Sequence, residues 1–254
     1  AASGAGAAAV EGSAVLAPSV GPTAAAATTA DPSTAAAPAP EAAPPPAPPP
    51  VPPPVFAAPF EKTADKADGK WEPLVAGPAG EPALLYRTTV HPHSIKGHVI
   101  ATIVAIDLTR TEVALVAGTE EPETKTVPED RRTGLVPSAD QADLLVVFNG
   151  GFMTRHGKYG MMLAGDEYLA PREDACAFAR RKDGSFWIAP WIEMKGKDAD
   201  LAFYRQTPAC LIDEGELHPD LDSDYKMRKW GGQNNGQKDT RRSAVGLSAN
   251  GKLL

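Results

Sequence analysis

The sequence predicts a strand-dominated α+β domain, a mixed sheet with few helices, preceded by a disordered Ala/Pro-rich tether. Three observations carry that expectation. Short runs rich in Val, Ile and Leu recur from Leu84 onward, bounded by Gly, Pro and Asn turn residues. Helical patterning is confined to brief stretches. The first sixty residues contain no Lys or Arg and are mostly Ala and Pro, with twelve prolines between Pro38 and Pro59. Such a composition cannot bury a core, so residues 1–65 are expected to be disordered and, where proline is densest, an extended polyproline spacer. The domain is placed at residues 71–254, long enough for one core of ordinary size.

After a Gly/Pro-rich lead-in from Trp71 to Pro82, residues 84–90 and 98–108 read as strands, the second apolar on both alternating faces and therefore central. Residues 111–117 follow a short turn and read as its antiparallel neighbour. The charged stretch 118–134, with Pro122 and Pro128, is a loop or an edge segment. Ser138 offers an N-cap to a short helix over 139–142, which leads into a strand at 144–148. Further strands are expected at 160–164, 175–179 and 185–191, the last two joined through Lys182-Asp183-Gly184, where Asp-Gly signals a hairpin. A final pair is expected at 243–247 and from Lys252 onward, around Ala249-Asn250-Gly251.

The net charge of −7 is modest and dispersed, without a basic stripe or interleaved aromatics, so nucleic acid is not expected as a partner. No apolar run reaches the length of a membrane-spanning helix. A Pro/Ala tether ahead of a folded domain suits display at a membrane or wall, so the expectation is an exported or cell-envelope protein. Cys176 and Cys210 either pair as a disulfide or stay as buried thiols, and their spacing does not suggest zinc.

The most informative stretch is Val146-Val147-Phe148-Asn149-Gly150-Gly151-Phe152, an apolar strand that stops at Asn-Gly-Gly and runs into a loop with His156, Gly157 and Lys158. Asn-Gly could be a tight hairpin turn, but the next strand-like run begins only at Gly160, so a ligand-presenting loop is the competing reading. Gly151 to Gly157 fails as a phosphate-binding P-loop, because five residues separate the glycines and Tyr159 stands where Ser or Thr would bind the metal. His91 and His93 flank Pro92 without a third ligand, so no metal site is expected. Arg241 and Arg242 precede an apolar run, and a guanidinium can fork onto phosphate. Asp166, Glu167, Asp213, Glu214 and Glu216 are the carboxylates near these motifs. Trp230 could stack on a sugar or anchor its Gly-rich surroundings.

Asn149-Gly150-Gly151-Phe152, then Gly160 and Gly165, and far downstream Arg242-Ser243-Ala244-Val245-Gly246 with Asn250-Gly251-Lys252-Leu253-Leu254, together resemble the N-G-G-F and R-T-x-x-G…dG-k-l signatures of the phosphodiester glycosidase family. Ser243 stands where that family has Thr and keeps the hydroxyl. The resemblance covers residues 84–254. It implies a hydrolase that releases a sugar from a phosphodiester, with Asn149, His156, Asp166 and Arg242 as catalytic candidates and Gly150, Gly151, Arg242 and Trp230 as substrate-binding ones. It implies no cofactor and leaves any metal requirement open. The partner would be a phosphate-linked sugar or an envelope polysaccharide. It also implies further D-G and D-G-G-x-S segments after Leu254. A noncatalytic polysaccharide-binding or envelope-scaffold module is the alternative.

Overall fold

The computed structural model describes residues 13–18, 52–222, 230 and 241–254. Strands dominate. In chain order they are β1 (Ser13–Pro18), β2 (Glu72–Val75), β3 (Leu85–Val90), β4 (Ala101–Ile106), β5 (Thr111–Val116), β6 (Val146–Asn149), β7 (Met161–Leu163), β8 (Asp166–Leu169), β9 (Cys176–Arg181), β10 (Phe186–Pro190), β11 (Leu201–Thr207), β12 (Ile212–Asp213) and β13 (Glu216–Leu217). The only α-helix among the described residues is the single turn α1 (Trp191–Met194), alongside short 3₁₀ turns.

The strands assemble into sheets ordered β2-β3-β4, β5-β1-β6 and β10-β9-β11-β7-β8, with β12-β13 as a separate hairpin. All these pairs are antiparallel. The five-stranded sheet is covered on both faces, and the period-2 alternation of side chains explains how. Met161, Phe178 and Phe203 join Leu85, Ile106, Val113 and Leu115 in one core. Their neighbours Met162, Ala177, Ala179 and Tyr204 point the other way, toward Trp191 and Met194 of α1. Leu201 and Phe203 would share a face in a regular strand, but the register shift between them sends Leu201 to the α1 side.

Three expectations are corrected. β5 does not pair with β4. Asp107 accepts hydrogen bonds from Thr109 N and Oγ1 and from Arg110 Nε, while Arg110 also reaches the carbonyls of Pro82 and Ala83. This braced turn redirects the chain, and β5 pairs instead with β1. β4 is flanked on its second edge by the C-terminal residues, with Ile106 and Leu254 exchanging both backbone bonds. Residues 243–247, expected as a strand, carry no regular structure, although the Ser248–Gly251 turn forms as anticipated.

Only parts of the Ala/Pro-rich region lie within the described residues. Ser13–Pro18 lies as a strand between β5 and β6, in register with both. Residues 52–65 pack on the domain, where Trp71 Nε1 donates to Pro54 O at 2.7 Å and Thr63 Oγ1 to His93 O at 2.8 Å. The remainder of the Ala/Pro-rich region lies outside the described residues. The Ser138-capped helix is replaced by a 3₁₀ turn at Gln141–Asp143 without a side-chain cap.

Cys176 and Cys210 form a disulfide with Cα atoms 4.8 Å apart and a sequence separation of 34. It ties the start of β9 to the segment leaving β11. Closing a loop of this size contributes about 2–4 kcal/mol, mainly by restricting the unfolded chain. Such bonds are characteristic of oxidising compartments. No helix among the described residues is long and apolar enough to cross a membrane.

Candidate functional site

Asn149 ends β6 and Met161 begins β7, and these strands belong to different sheets. Asn149-Gly150 is therefore a crossover and not a hairpin turn. The exposed Asn149 folds its Oδ1 back to accept the Gly151 N–H at 2.8 Å. Among the described residues its amide hydrogens have no partner, and of the two glycine N–H groups only that of Gly151 is engaged. Gly151 has φ 141°, and a Cβ there would sit 2.8 Å from Arg205 Nε. Only glycine satisfies both constraints.

The loop from Phe152 to Gly160 is held from beneath by groups that are far away in sequence. Arg205, on β11 and 7% exposed, donates from Nη1 to Tyr159 O at 2.6 Å and from Nη2 to Phe152 O at 2.5 Å. Burial pulls its guanidinium down, to about 10, against the opposing influence of Glu121. It is thus still a cation at neutral pH. Glu121 is also buried, and its Oε2 accepts from Thr154 N at 2.8 Å and Thr154 Oγ1 at 2.7 Å. Thr154 Oγ1 in turn accepts from Glu123 N.

Gln206 completes the support. Its fully buried side chain accepts at Oε1 from Gly160 N (2.9 Å) and Arg172 N (2.8 Å) and donates from Nε2 to Arg172 O (3.0 Å). Arg172 lies over the Tyr159 ring at 5.3 Å and donates to Gly157 O at 2.8 Å. Its other edge engages Asp174, whose hydrogen bond and charge raise the Arg172 pKa despite some burial. Tyr159, raised by burial, packs against Phe152 with ring centres 5.7 Å apart. Arg205, Gln206, Glu121 and Arg172 were not singled out from sequence. The signal available was the Arg205-Gln206 pair inside the strand Leu201–Thr207, because buried polar groups in a strand must find partners.

The sequence-derived candidates are distributed as follows. Asn149, Gly150, Gly151 and His156 share the loop, with His156 exposed on the 3₁₀ turn Thr154–His156. Asp166 opposes Leu163 at the turn end of the β7–β8 hairpin and is ion-paired with Arg131. Three residues of strand separate Leu163 from Gly160, which is roughly 10 Å. Glu214 (φ 48°) and Gly215 (φ 88°) form the two-residue turn between Asp213 and Glu216. That is hairpin geometry and accounts for these polar residues. Arg242 is exposed and donates from Nη1 to the neighbouring Arg241 O at 2.9 Å. Trp230 donates from Nε1 to Ala209 O at 2.6 Å and meets the His218 ring edge-on, an anchoring role.

Both histidines of the His91-Pro92-His93 segment are committed to local structure. His93 Nδ1 accepts from Ile95 N and Lys96 N. His91 Nδ1 lies 2.9 Å from Asp68 Oδ1, and its backbone N–H donates to Asp68 Oδ2. Among the described residues no group of three or more His, Cys, Asp or Glu is placed to hold a metal ion. Burial raises the Asp68 carboxyl, but its hydrogen bonds to the His91 side chain and backbone outweigh this and leave it below the ordinary 3.8. A carboxylate depressed in the folded state contributes stability above its unfolded pKa and loses it as pH falls through the folded value. Unfolding by denaturant, followed from about pH 6 to about pH 2, should therefore show a shallower acid decline for Asp68→Asn than for the parent protein. Parallel declines would show that Asp68 carries no linked proton.

No family model, curated protein or solved structure matched the chain.

Proposed function

We propose that this protein is a hydrolase of the phosphodiester glycosidase type, exported to the outside of the cell or its envelope. The observation that carries the reading is the Asn149-Gly150-Gly151 loop, presented at the end of a strand and braced by a buried cation and a buried amide. That loop coincides with the N-G-G-F motif, and Arg242-Ser243-Ala244-Val245-Gly246 supplies the second matching segment. The Cys176–Cys210 disulfide supports the location.

The chemistry suits these residues. In hydrolysis, water adds to the anomeric carbon and loses a proton to solvent, the bond from that carbon to the phosphate oxygen breaks, and the electron pair leaves with the phosphate monoester. Because the second phosphate ionisation lies near about pH 6, the leaving group departs as a stable anion with little help from a general acid. Positive charge and fixed donors then matter most. Arg242 would turn from the Arg241 carbonyl to fork onto the phosphate, while Asn149 Nδ2 and Gly150 N–H would orient the sugar or a phosphate oxygen. His156 is an auxiliary donor.

The alternative, glycan binding without turnover, is favoured by the engagement of nearby carboxylates: Asp166 with Arg131 and Glu121 with Thr154. Turnover of a panel of sugar-1-phosphodiesters, read as released reducing sugar, separates the two. Arg242→Lys should lower kcat/KM by roughly ten- to a hundredfold without changing the unfolding midpoint, because Lys keeps the charge and loses the fork. Arg241→Lys should stay near the parent value. Equal losses in both variants would remove Arg242 from the site, and retention on glycan with no turnover would favour the binding module.

A further inference from the structure

A second feature lies on the β2-β3-β4 sheet. Leu85 and Ile106, paired across β3 and β4, anchor one face of that sheet in the core. Two and four residues further along β3 the same face carries Arg87 and Thr89, and Thr102 stands opposite Thr89. There the apolar surface gives way to a depression of about 400 Å³, lined by Lys66, Lys70, Trp71, Arg87, Thr89 and Thr102. This volume lies in the range that holds a ligand of a few rings, about 300–1,000 Å³.

The walls are fixed. The turn bearing Lys66 and Lys70 is closed by Asp68 N to Asp65 O and Lys70 N to Ala67 O, and Gly69 N binds it to Thr89 O on β3. Gly69 sits at φ 69° against the Phe56 backbone, so the turn cannot shift without breaking that contact. Trp71 is oriented by its bond to Pro54 and by the Phe56 ring packed edge-on at 6.1 Å. The charges contrast with the rest of the chain. Lys66, Lys70 and Arg87 face a single lining carboxylate, Glu72, which is paired with Arg87. Lys66 and Lys70 are exposed and have no ion pair among the described residues.

We propose that this depression is a binding subsite for a short acidic oligosaccharide, one carrying uronate carboxylates. Trp71 offers an aromatic wall for a sugar ring, Thr89 and Thr102 offer hydroxyls to sugar hydroxyls, and the two lysines receive carboxylates. The overall charge of −7 gives a polyanion no long-range attraction, so recognition depends on these short-range contacts and favours a few residues over a long charged contour. The proposal is independent of the Asn149 loop, and its readout is binding and not turnover.

The test is calorimetric titration of the full chain with trigalacturonate, with maltotriose as the neutral counterpart and inorganic phosphate as competitor. The parent protein should prefer trigalacturonate. Lys66→Gln/Lys70→Gln should weaken it about five- to tenfold with an unchanged unfolding midpoint, because two exposed ion pairs are lost. Thr102→Val should weaken both sugars, and the control Lys125→Gln/Lys182→Gln should change nothing. The proposal is overturned if the parent protein binds neither sugar, if maltotriose binds as well as trigalacturonate, if the control pair loses as much as the test pair, or if phosphate displaces the sugar as effectively from the Lys66/Lys70 variant as from the parent.

Discussion

Arg205→Met should destabilise the protein by about 3–5 kcal/mol, the cost of breaking a buried charge arrangement from one side. Met retains much of the aliphatic stem, so the loss is of charge and donors more than of packing. In its absence the carbonyls of Phe152 and Tyr159 lose their donors, and buried Glu121 loses the cation that lies nearby. Arg205→Lys should fall between the two, since an ammonium keeps the charge but not the fork that spans both carbonyls. The double variant Arg205→Met/Glu121→Gln should cost less than the sum of its single changes, because neutralising Glu121 removes the uncompensated charge while an amide can still accept from Thr154. Denaturant unfolding gives these free energies, and hydrogen exchange should show residues 152–160 losing protection in Arg205→Met before the strands of the core do. Strict additivity in the double variant would dissolve the proposed Arg205–Glu121 coupling.

Gln206→Leu should be of similar severity for a different reason. No charge is involved, and the volume is nearly kept, but Gly160 N and Arg172 N lose their acceptor and Arg172 O its donor. A buried group left without a partner costs about 1–3 kcal/mol, and because two of these three bonds are only part-buried the total should lie toward the low end, roughly 3–6 kcal/mol. A typical domain has only about 5–15 kcal/mol in total, and the unfolding midpoint should fall accordingly. Gly160 offers no room for compensation, because a Cβ there would already lie 2.7 Å from Gln206 Oε1 and from Pro171 Cα. A measured loss below about 1 kcal/mol would mean that water replaces the amide, which the complete burial of Gln206 argues against.

Both residues sit in β11, the central strand of the five-stranded sheet, which the sequence reading passed over. Leu201–Thr207 alternates weakly: a bulge shifts its period and Arg205-Gln206 interrupts its apolar character. Those two side chains look like a surface signature until Gly160, about 46 residues earlier, is brought alongside. Asn149-Gly150-Gly151 was legible because an abrupt end to an apolar strand is a local event. What braces that loop was not, because its supports at positions 121, 172, 205 and 206 come from three separate parts of the chain.

The sequence by itself determined where most strands lie and where the chain turns. β3, β5, β7, β9 and β10 fall where alternation and turn residues put them, and Lys182-Asp183-Gly184 closes its hairpin as read. Alternation and turn chemistry are written in neighbouring residues, so they survive reading without a fold. Tertiary structure decided which strands meet: β5 pairs with β1 instead of β4, the end of the chain lies along β4, and Cys176 reaches Cys210. The physical reason is that strand edges are chemically alike. Every strand presents the same backbone N–H and C=O groups, so partner choice rests on long-range packing and on buried polar side chains such as Arg205 and Gln206, whose bonds exist only once distant segments are in place.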